Sequence, residues 1–566
     1  MAEYDLVIRG GTIVDGKGHP RYKADLAVKD GRVAKISGRI PAGGARELDA
    51  SGCIVGPGAV DLHTHYDAQV NWDPYCSMSG WFGVTSLTIG QCGFGFAPTR
   101  PEDRELNMRM MNRIEAIPLH SMQQGMRWDW ETFPEYLDSL DRQGLGLNIG
   151  ALFPMSPMRG YVMGMLEARR RTSATDAEIN QIKQIFHEAM KAGAFGFSAN
   201  KSAEDRPEDG GYLPTHVTSD EEYLAMAEVL AEFGVGHIGW TIGVPIFDDR
   251  LAQHRLVSKM MRICGRPAHV NCIFATPEDM TWLKGAREEG LPMLIQQPTI
   301  YPDAIFKLSE YNLFDIYPNW VQPLVGTAEE RAAKLRNPET RAAMKHDVEH
   351  QSGITSRTDW DTFHVMAVVH ERNYKYEGKT IAEIAQMEEK HPVDALLDLA
   401  LDEDLETEFS NQSGAGDPGE EGLEPLIKNP YFHISLSDGG AHTRYFTVST
   451  WPVNFLAHWI RDKEIMTLEE AHVKMSSYPA WFADFKDRGT LQLGAWADII
   501  VYDLDKLGYL YPKPIFDTDF PGGERRVIQK PTGLRYTIVN GVVTFEENDC
   551  TGALPGKLLR SYDMVG

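Results

Sequence analysis

The chain has 566 residues, of which 42% are hydrophobic and 24% charged. That composition excludes a disordered or fibrous protein, and the length is too great for one compact core. Lys+Arg number 56 against Asp+Glu 81, a net −25 with His neutral, which repels phosphate backbones and anionic lipid and so excludes nucleic-acid and membrane-surface partners.

The first 60 residues read as short strands. Tyr4 to Ile8 is a mostly apolar run, Gly10-Gly11 turns the chain, and Thr12 to Val14 resumes it. Leu26 to Val28 and Val33 to Ile36 follow, separated by Asp30-Gly31. Strands punctuated by such turns predict a small β-sandwich. The start has no basic segment leading into a long apolar one, and no apolar run approaches the ~20 residues of a membrane span. Six cysteines make no disulfide framework. A cytoplasmic chain is expected, with a homo-oligomer left open.

From about residue 56 short apolar runs alternate with amphipathic helical stretches. The runs are Ala59 to Leu62, Ser86 to Ile89, Leu147 to Phe153, Ala194 to Ser198, Gly234 to Ile238, Ala268 to Ile273, Met293 to Gln296 and His433 to Leu436. Helices are expected over Asp176 to Ala192, Ser219 to Phe233 and Asp249 to Cys264. Eight βα units predict an α/β fold, a (β/α)₈ barrel of the TIM type. The stretch from about 300 to 425 is too long for one βα loop and predicts a lid beside the barrel's C-terminal face. It contains Tyr301, Phe306, Tyr311, Phe314 and Trp320, which suit either a bulky apolar substrate or the lid's own core, and it ends in an exposed loop, Asn411 to Pro425. Strands return over Asp498 to Tyr502, Tyr536 to Val539 and Val542 to Phe545, the last two joined by Asn540-Gly541, a strong hairpin signal. The expected domains are therefore residues 1–58 with 482–566 as the sandwich, and 59–481 as the barrel with its insertion.

The chemistry is expected at strand ends. In Asp61-Leu62-His63-Thr64-His65 the two imidazoles lie two residues apart and share a face, where they hold a divalent metal or simply pack. Cys92, flanked by glycines in Gln91-Cys92-Gly93-Phe94-Gly95, is either a core thiol or a zinc ligand able to bridge two ions. His237 and His269 lie in neighbouring strand-like runs and read as ligands or as satisfied core residues. Asp438, in Leu436-Ser437-Asp438-Gly439-Gly440, is a turn residue or a carboxylate that ligates metal and takes a proton from water. Zinc suits this N/S/O mixture, being borderline-soft and redox-inert. Lys201, after a strand-like run, offers an alternative bridging ligand if carbamylated. A scaffold on a retired barrel would have lost ligands, and this chain keeps all six.

These motifs resemble the amidohydrolase superfamily, and within it the N-acyl-D-amino-acid deacylases (D-aminoacylases). The resemblance is carried by Gly10 to Gly16, by IVGPGAVDLHTHYDAQ at 54–69, by GQCGFG around Cys92, by LSDGGAH around Asp438, and by Lys486 to Gly489 with Gly494 to Asp498. It implies that Cys92 replaces a bridging lysine, that Cys92, His237 and His269 hold one tight zinc, and that His63, His65 and Asp438 line a second, weaker position. It implies hydrolysis of a small-molecule amide by metal-activated water, with Asp438 moving the proton. The family's lysine for the substrate carboxylate corresponds to Asn271 here, which cannot form an ion-paired bond. Arg444 is then the candidate substitute and His442 a further substrate contact. An N-acyl-D-amino acid is the expected substrate, with a cyclic amide (hydantoinase-like) or an uncharged aryl or alkyl amide as alternatives.

Overall fold

The computed structural model describes residues 3–41, 43–243, 249–272, 276–310, 313–350, 358–411 and 419–564. Strands from both chain ends share one sheet. Its order runs Asp549–Cys550, Val542–Glu546, Leu534–Val539, Ile499–Tyr502, Ile54–Pro57, Tyr4–Ile13, Tyr22–Lys29, Arg32–Ser37, with Gly44–Asp49 also pairing Tyr4–Ile13. Leu6, Ile8, Leu26, Val28, Val55, Ile499, Val501 and Ile538 form its buried core. The turn expected at Gly10-Gly11 is instead a bulge within one strand, where the pairing register shifts between Ile8 and Gly11.

The barrel strands are β1 (Ala59–Asp61), β2 (Val84–Ile89), β3 (Asn148–Ala151), β4 (Gly196–Asn200), β5 (His237–Ile242), β6 (Ala268–Cys272), β7 (Met293–Gln296) and β8 (Phe432–His433). Neighbours pair in parallel from β1 through β3 and from β4 through β8, and Phe153–Pro154 carries the pairing across to β4. The ring closes where Ser437 and Asp438 donate backbone N–H groups to His63 O and where Thr64 pairs with Gly439.

Local chemistry explains the helices. Thr175 and Glu178 form a capping box for Asp176–Ala192, which stops at Gly193 with φ 107°. Ser219 caps Asp220–Phe233, and Asp249 caps Arg250–Cys264. The barrel is filled from below by Val60, Leu62, Leu152, Phe195, Leu294 and Phe482.

The insertion has its own core. Phe306, Phe314, Trp320, Phe363, Leu396 and Phe409 are buried together there, around the sheet Ala304–Phe306, Glu408–Asn411, Phe363–Ala367. The insertion's aromatics Phe306, Phe314 and Trp320 are therefore packing residues, Tyr301 packs against the barrel core, and Tyr311 lies outside the described residues. Of the loop expected over Asn411 to Pro425, residues 412–418 lie outside the described residues, and Gly419–Lys428 is a helix. Among the described residues no helix is long and apolar enough to cross a membrane.

Candidate metal centre

The site forms where β1, β2, β5, β7 and the loop after β8 end. Beyond β1, Thr64 is pinned between neighbours, its hydroxyl donating to Thr88 O at 2.7 Å. The imidazoles on either side of it, His63 and His65, are both buried, with ring centroids 5.3 Å apart. Asp61 braces the turn: one carboxylate oxygen accepts from His63 N at 3.2 Å and the other from the Trp451 indole at 3.0 Å. Burial raises this carboxyl to about 6.

Cys92 follows β2 with φ 55°, between Gly90 and Gly93, both also at positive φ. A β-carbon on Gly90 would meet Leu152 O at 2.3 Å, so glycine is required there. Asp438 and His442 have φ 48° and 51°. Non-glycine residues rarely adopt this region, and three of them lie around this one site.

The side chains converge. His63 Nδ1–H donates to Gln296 Oε1 at 2.8 Å, which fixes the tautomer and leaves Nε2 with its lone pair. That Nε2 lies 3.3 Å from Cys92 Sγ and 3.3 Å from Asp438 Oδ1, while His65 Nε2 lies 3.7 Å from the same oxygen. Donor atoms of His63, His65 and Cys92 all fall within 4.8 Å of one another. Asp438 is half-buried, 24% exposed, at the edge of this cluster.

Burial lowers His65 to about 4, so its ring is neutral and ready to ligate. Burial, with Glu115 and Asp438 nearby, pushes the Cys92 thiol well up, so a cation is needed to ionise it. Burial also raises Asp438, but His65, His63 and His442 outweigh it and hold the carboxyl well below the usual range.

Four of the expected residues thus meet: His63, His65, Cys92 and Asp438. His237 and His269 do not join them. His237 is the first residue of β5 and His269 the second of β6, so both sit low in the barrel rather than at its mouth. His237 packs 5.3 Å from the Phe482 ring and 4.8 Å from His269, and His269 stacks on Phe482 at 5.5 Å. At the level of the cysteine, β5 presents Thr241, whose Oγ1 is 3.2 Å from Cys92 Sγ, and Thr241 pairs with Asn271 on β6.

Lys201 is also elsewhere. It shares the face of Phe197, which packs on the outer helices, and its Nζ lies 5.6 Å from the Tyr223 ring centre on helix Asp220–Phe233. A bridging lysine is therefore not available from this position. Arg444 is committed to Glu310 and to Ala116 O. His442 faces Glu115 Oε2 at 3.7 Å.

Three partners escaped the sequence reading. Gln296 ends a strand that was legible, and a polar residue at that position was the available signal. Thr241 was hidden by the misplaced end of β5. Glu115, just past helix Arg104–Ile114, carries no motif; it is buried, 3.6 Å from His65 Nδ1, and pushed well up by burial and by Asp205 and Asp438.

The model of the amidohydrolase family matches residues 46–291 and 311–545. An uncharacterised protein of Mycobacterium tuberculosis is 27% identical, over 96% of this chain and 92% of its own. The D-aminoacylase of Alcaligenes xylosoxydans xylosoxydans is 25% identical, over 98% and 97%. The crystal structure of N-acyl-D-glutamate deacylase from Bordetella bronchiseptica, complexed with zinc and a phosphonate inhibitor, superposes with TM-score 0.66 at 23% identity, covering 98% of this chain and 99% of that one.

Proposed function

The chain belongs to the amidohydrolase family and is a metal-dependent enzyme of it; from that premise we propose that it hydrolyses the linear amide bond of an N-acyl compound at the cluster of His63, His65, Cys92 and Asp438. The observation that carries this reading is the convergence of one nitrogen from each of two imidazoles and one thiol within 4.8 Å, with a carboxylate at their edge. Two nitrogens and a sulfur fit zinc, which, when bound, polarises a carbonyl and acidifies water toward a pKa of about 7.

The chain's own residues divide the work. Gln296 keeps the proton on His63 Nδ1, so that Nε2 faces the cluster. Asp438, ionised at neutral pH and partly open to solvent, takes a proton from the attacking water and delivers it to the leaving nitrogen. Glu115, whose carboxyl is pushed well up by burial, lies 3.6 Å from His65 Nδ1 on the side of the ring away from Asp438.

One observation favours an uncharged amide over an N-acyl-D-amino acid. Arg444, the candidate partner for a substrate carboxylate, is spent on Glu310, and Asp438, ionised beside the site, repels a second anion. The test is amine release by zinc-loaded protein from N-acetyl-D-amino acids, N-acetyl-L-amino acids and uncharged N-acyl anilides, with His63→Ala as control. Turnover of anilides alone is the expected result. Turnover of D-acids alone keeps the chemistry and demands a carboxylate-binding group other than Arg444. Silence across the panel contradicts linear-amide hydrolysis and moves the search to cyclic amides.

A further inference from the structure

The metal centre differs from the one the family resemblance implies, and the difference lies in β5 and β6. A two-ion centre of that kind needs Cys92 between two positions, one of them completed by a histidine from each of these strands. His237 is four residues before Thr241, ~13 Å along the strand, and His269 two before Asn271, ~7 Å. At the cysteine's level the strands offer a hydroxyl and, paired with it, a carboxamide. Neither matches the imidazole and thiolate donors that a tight zinc position uses.

The sulfur is also already flanked. His63 Nε2 lies 3.3 Å from it and Thr241 Oγ1 3.2 Å. A hydroxyl donates readily to a thiolate, and that hydrogen bond uses the electron density a second cation would need. His63, His65 and Cys92 supply three ligands, the number that catalytic zinc sites use while keeping a fourth position open. Asp438, the exposed member of the cluster, borders that position.

We infer that the centre is mononuclear: His63, His65 and Cys92 hold a single ion, and the Thr241 hydroxyl occupies the side of the Cys92 sulfur where a second ion would bind. The inference rests on the mouth of the barrel being the metal site. Thr241 is then a positioning residue, tuning the thiolate without touching the metal or the substrate.

Metal counting tests both layers of the claim. Full-length protein is stripped with chelator, dialysed against zinc or cobalt(II), and its metal counted by mass spectrometry. The expected result is one ion per chain in the wild type and in His237→Ala/His269→Ala, and none in His63→Ala. Thr241→Val is expected to keep one ion, to bind zinc about 10-fold more weakly, and to shift the cobalt–thiolate charge-transfer band to longer wavelength as the sulfur loses its hydrogen bond. Two ions in the wild type and one in the double variant would overturn the mononuclear centre while leaving the mouth as a metal site. Metal retained in His63→Ala would overturn the mouth itself. Affinity and spectrum unchanged in Thr241→Val would overturn the role given to the hydroxyl. If the double variant fails to fold, the wild-type count decides between one ion and two.

Discussion

The mouth and the floor of the barrel are both built around buried histidines, yet they are opposite environments. At the mouth, His63 and His65 face Gln296, Cys92, Asp438 and Glu115, so almost every ring nitrogen has a polar group near it. At the floor, His237, His269 and His433 pack around Phe482, and among the described residues both nitrogens of His237, both of His433 and Nε2 of His269 have no hydrogen-bond partner. Gln296 stands between the layers, its amide oxygen on His63 and its amide nitrogen 3.5 Å from His269 Nδ1. The same side chain on the same inward face joins the candidate metal cluster or packs in the core according to its depth in the barrel. Two residues of depth, ~7 Å, are enough to decide.

The sharpest break between the layers should come from metal. His63→Ala is expected to abolish both zinc binding and hydrolysis, whereas His237→Ala keeps the metal; zinc content and amine release in parallel check this. A smaller effect is expected one step out from the ligands. Gln296→Ala frees the His63 ring to rotate and change tautomer, and zinc affinity measured by competition with a chelator should fall about 10- to 100-fold.

The floor should reveal itself through acid. Burial lowers His237 and His433 to about 3 from 6.5. The unfolded chain therefore binds protons below pH 6.5 that the folded chain refuses. The stability from keeping each ring neutral is fully present above about 6.5 and is lost as pH falls below it, by about 2 kcal/mol per histidine by about pH 5. Urea unfolding at about pH 7 and pH 5 measures the slope, and His237→Phe should remove that residue's share. A slope unchanged in the variant would mean that water or an ion already satisfies the floor.

The smallest effect concerns the backbone of the mouth. Gly440 has φ 89°, and a β-carbon there would meet His65 O at 2.7 Å. Gly440→Ala should cost about 1–3 kcal/mol of stability, read by denaturant unfolding, and should displace Asp438 enough to slow turnover.

Much of this was legible in the sequence for definite reasons. The amphipathic stretches Asp176 to Ala192, Ser219 to Phe233 and Asp249 to Cys264 match the observed helices Asp176–Ala192, Asp220–Phe233 and Arg250–Cys264 to within a residue. The paired histidines, the glycine-flanked Cys92 and the Asp438 turn could be read because their spacing or glycine context is local. Depth was not local. The apolar run Gly234 to Ile238 marks the entry to β5, but the strand runs His237–Ile242, so a histidine read at the end of a strand is at its beginning. Register against β4 and β6 sets that limit, through pairs such as Gly196 with His237 and Thr241 with Asn271, and no single segment encodes it. Glu115 and Arg444 were obscured likewise: the first reaches the site through the course of a loop, and the partner that occupies the second, Glu310, is 134 residues away in sequence.

The most direct test of catalysis at the mouth is the turnover of zinc-loaded Asp438→Asn beside the wild type on the panel's best substrate. With zinc content and fold unchanged, the rate constant should fall about 10²- to 10⁴-fold, the usual contribution of a positioned proton-transfer group. An unchanged rate in a variant that still holds its metal would contradict the assignment of Asp438, and with it the mechanism built on the cluster it completes.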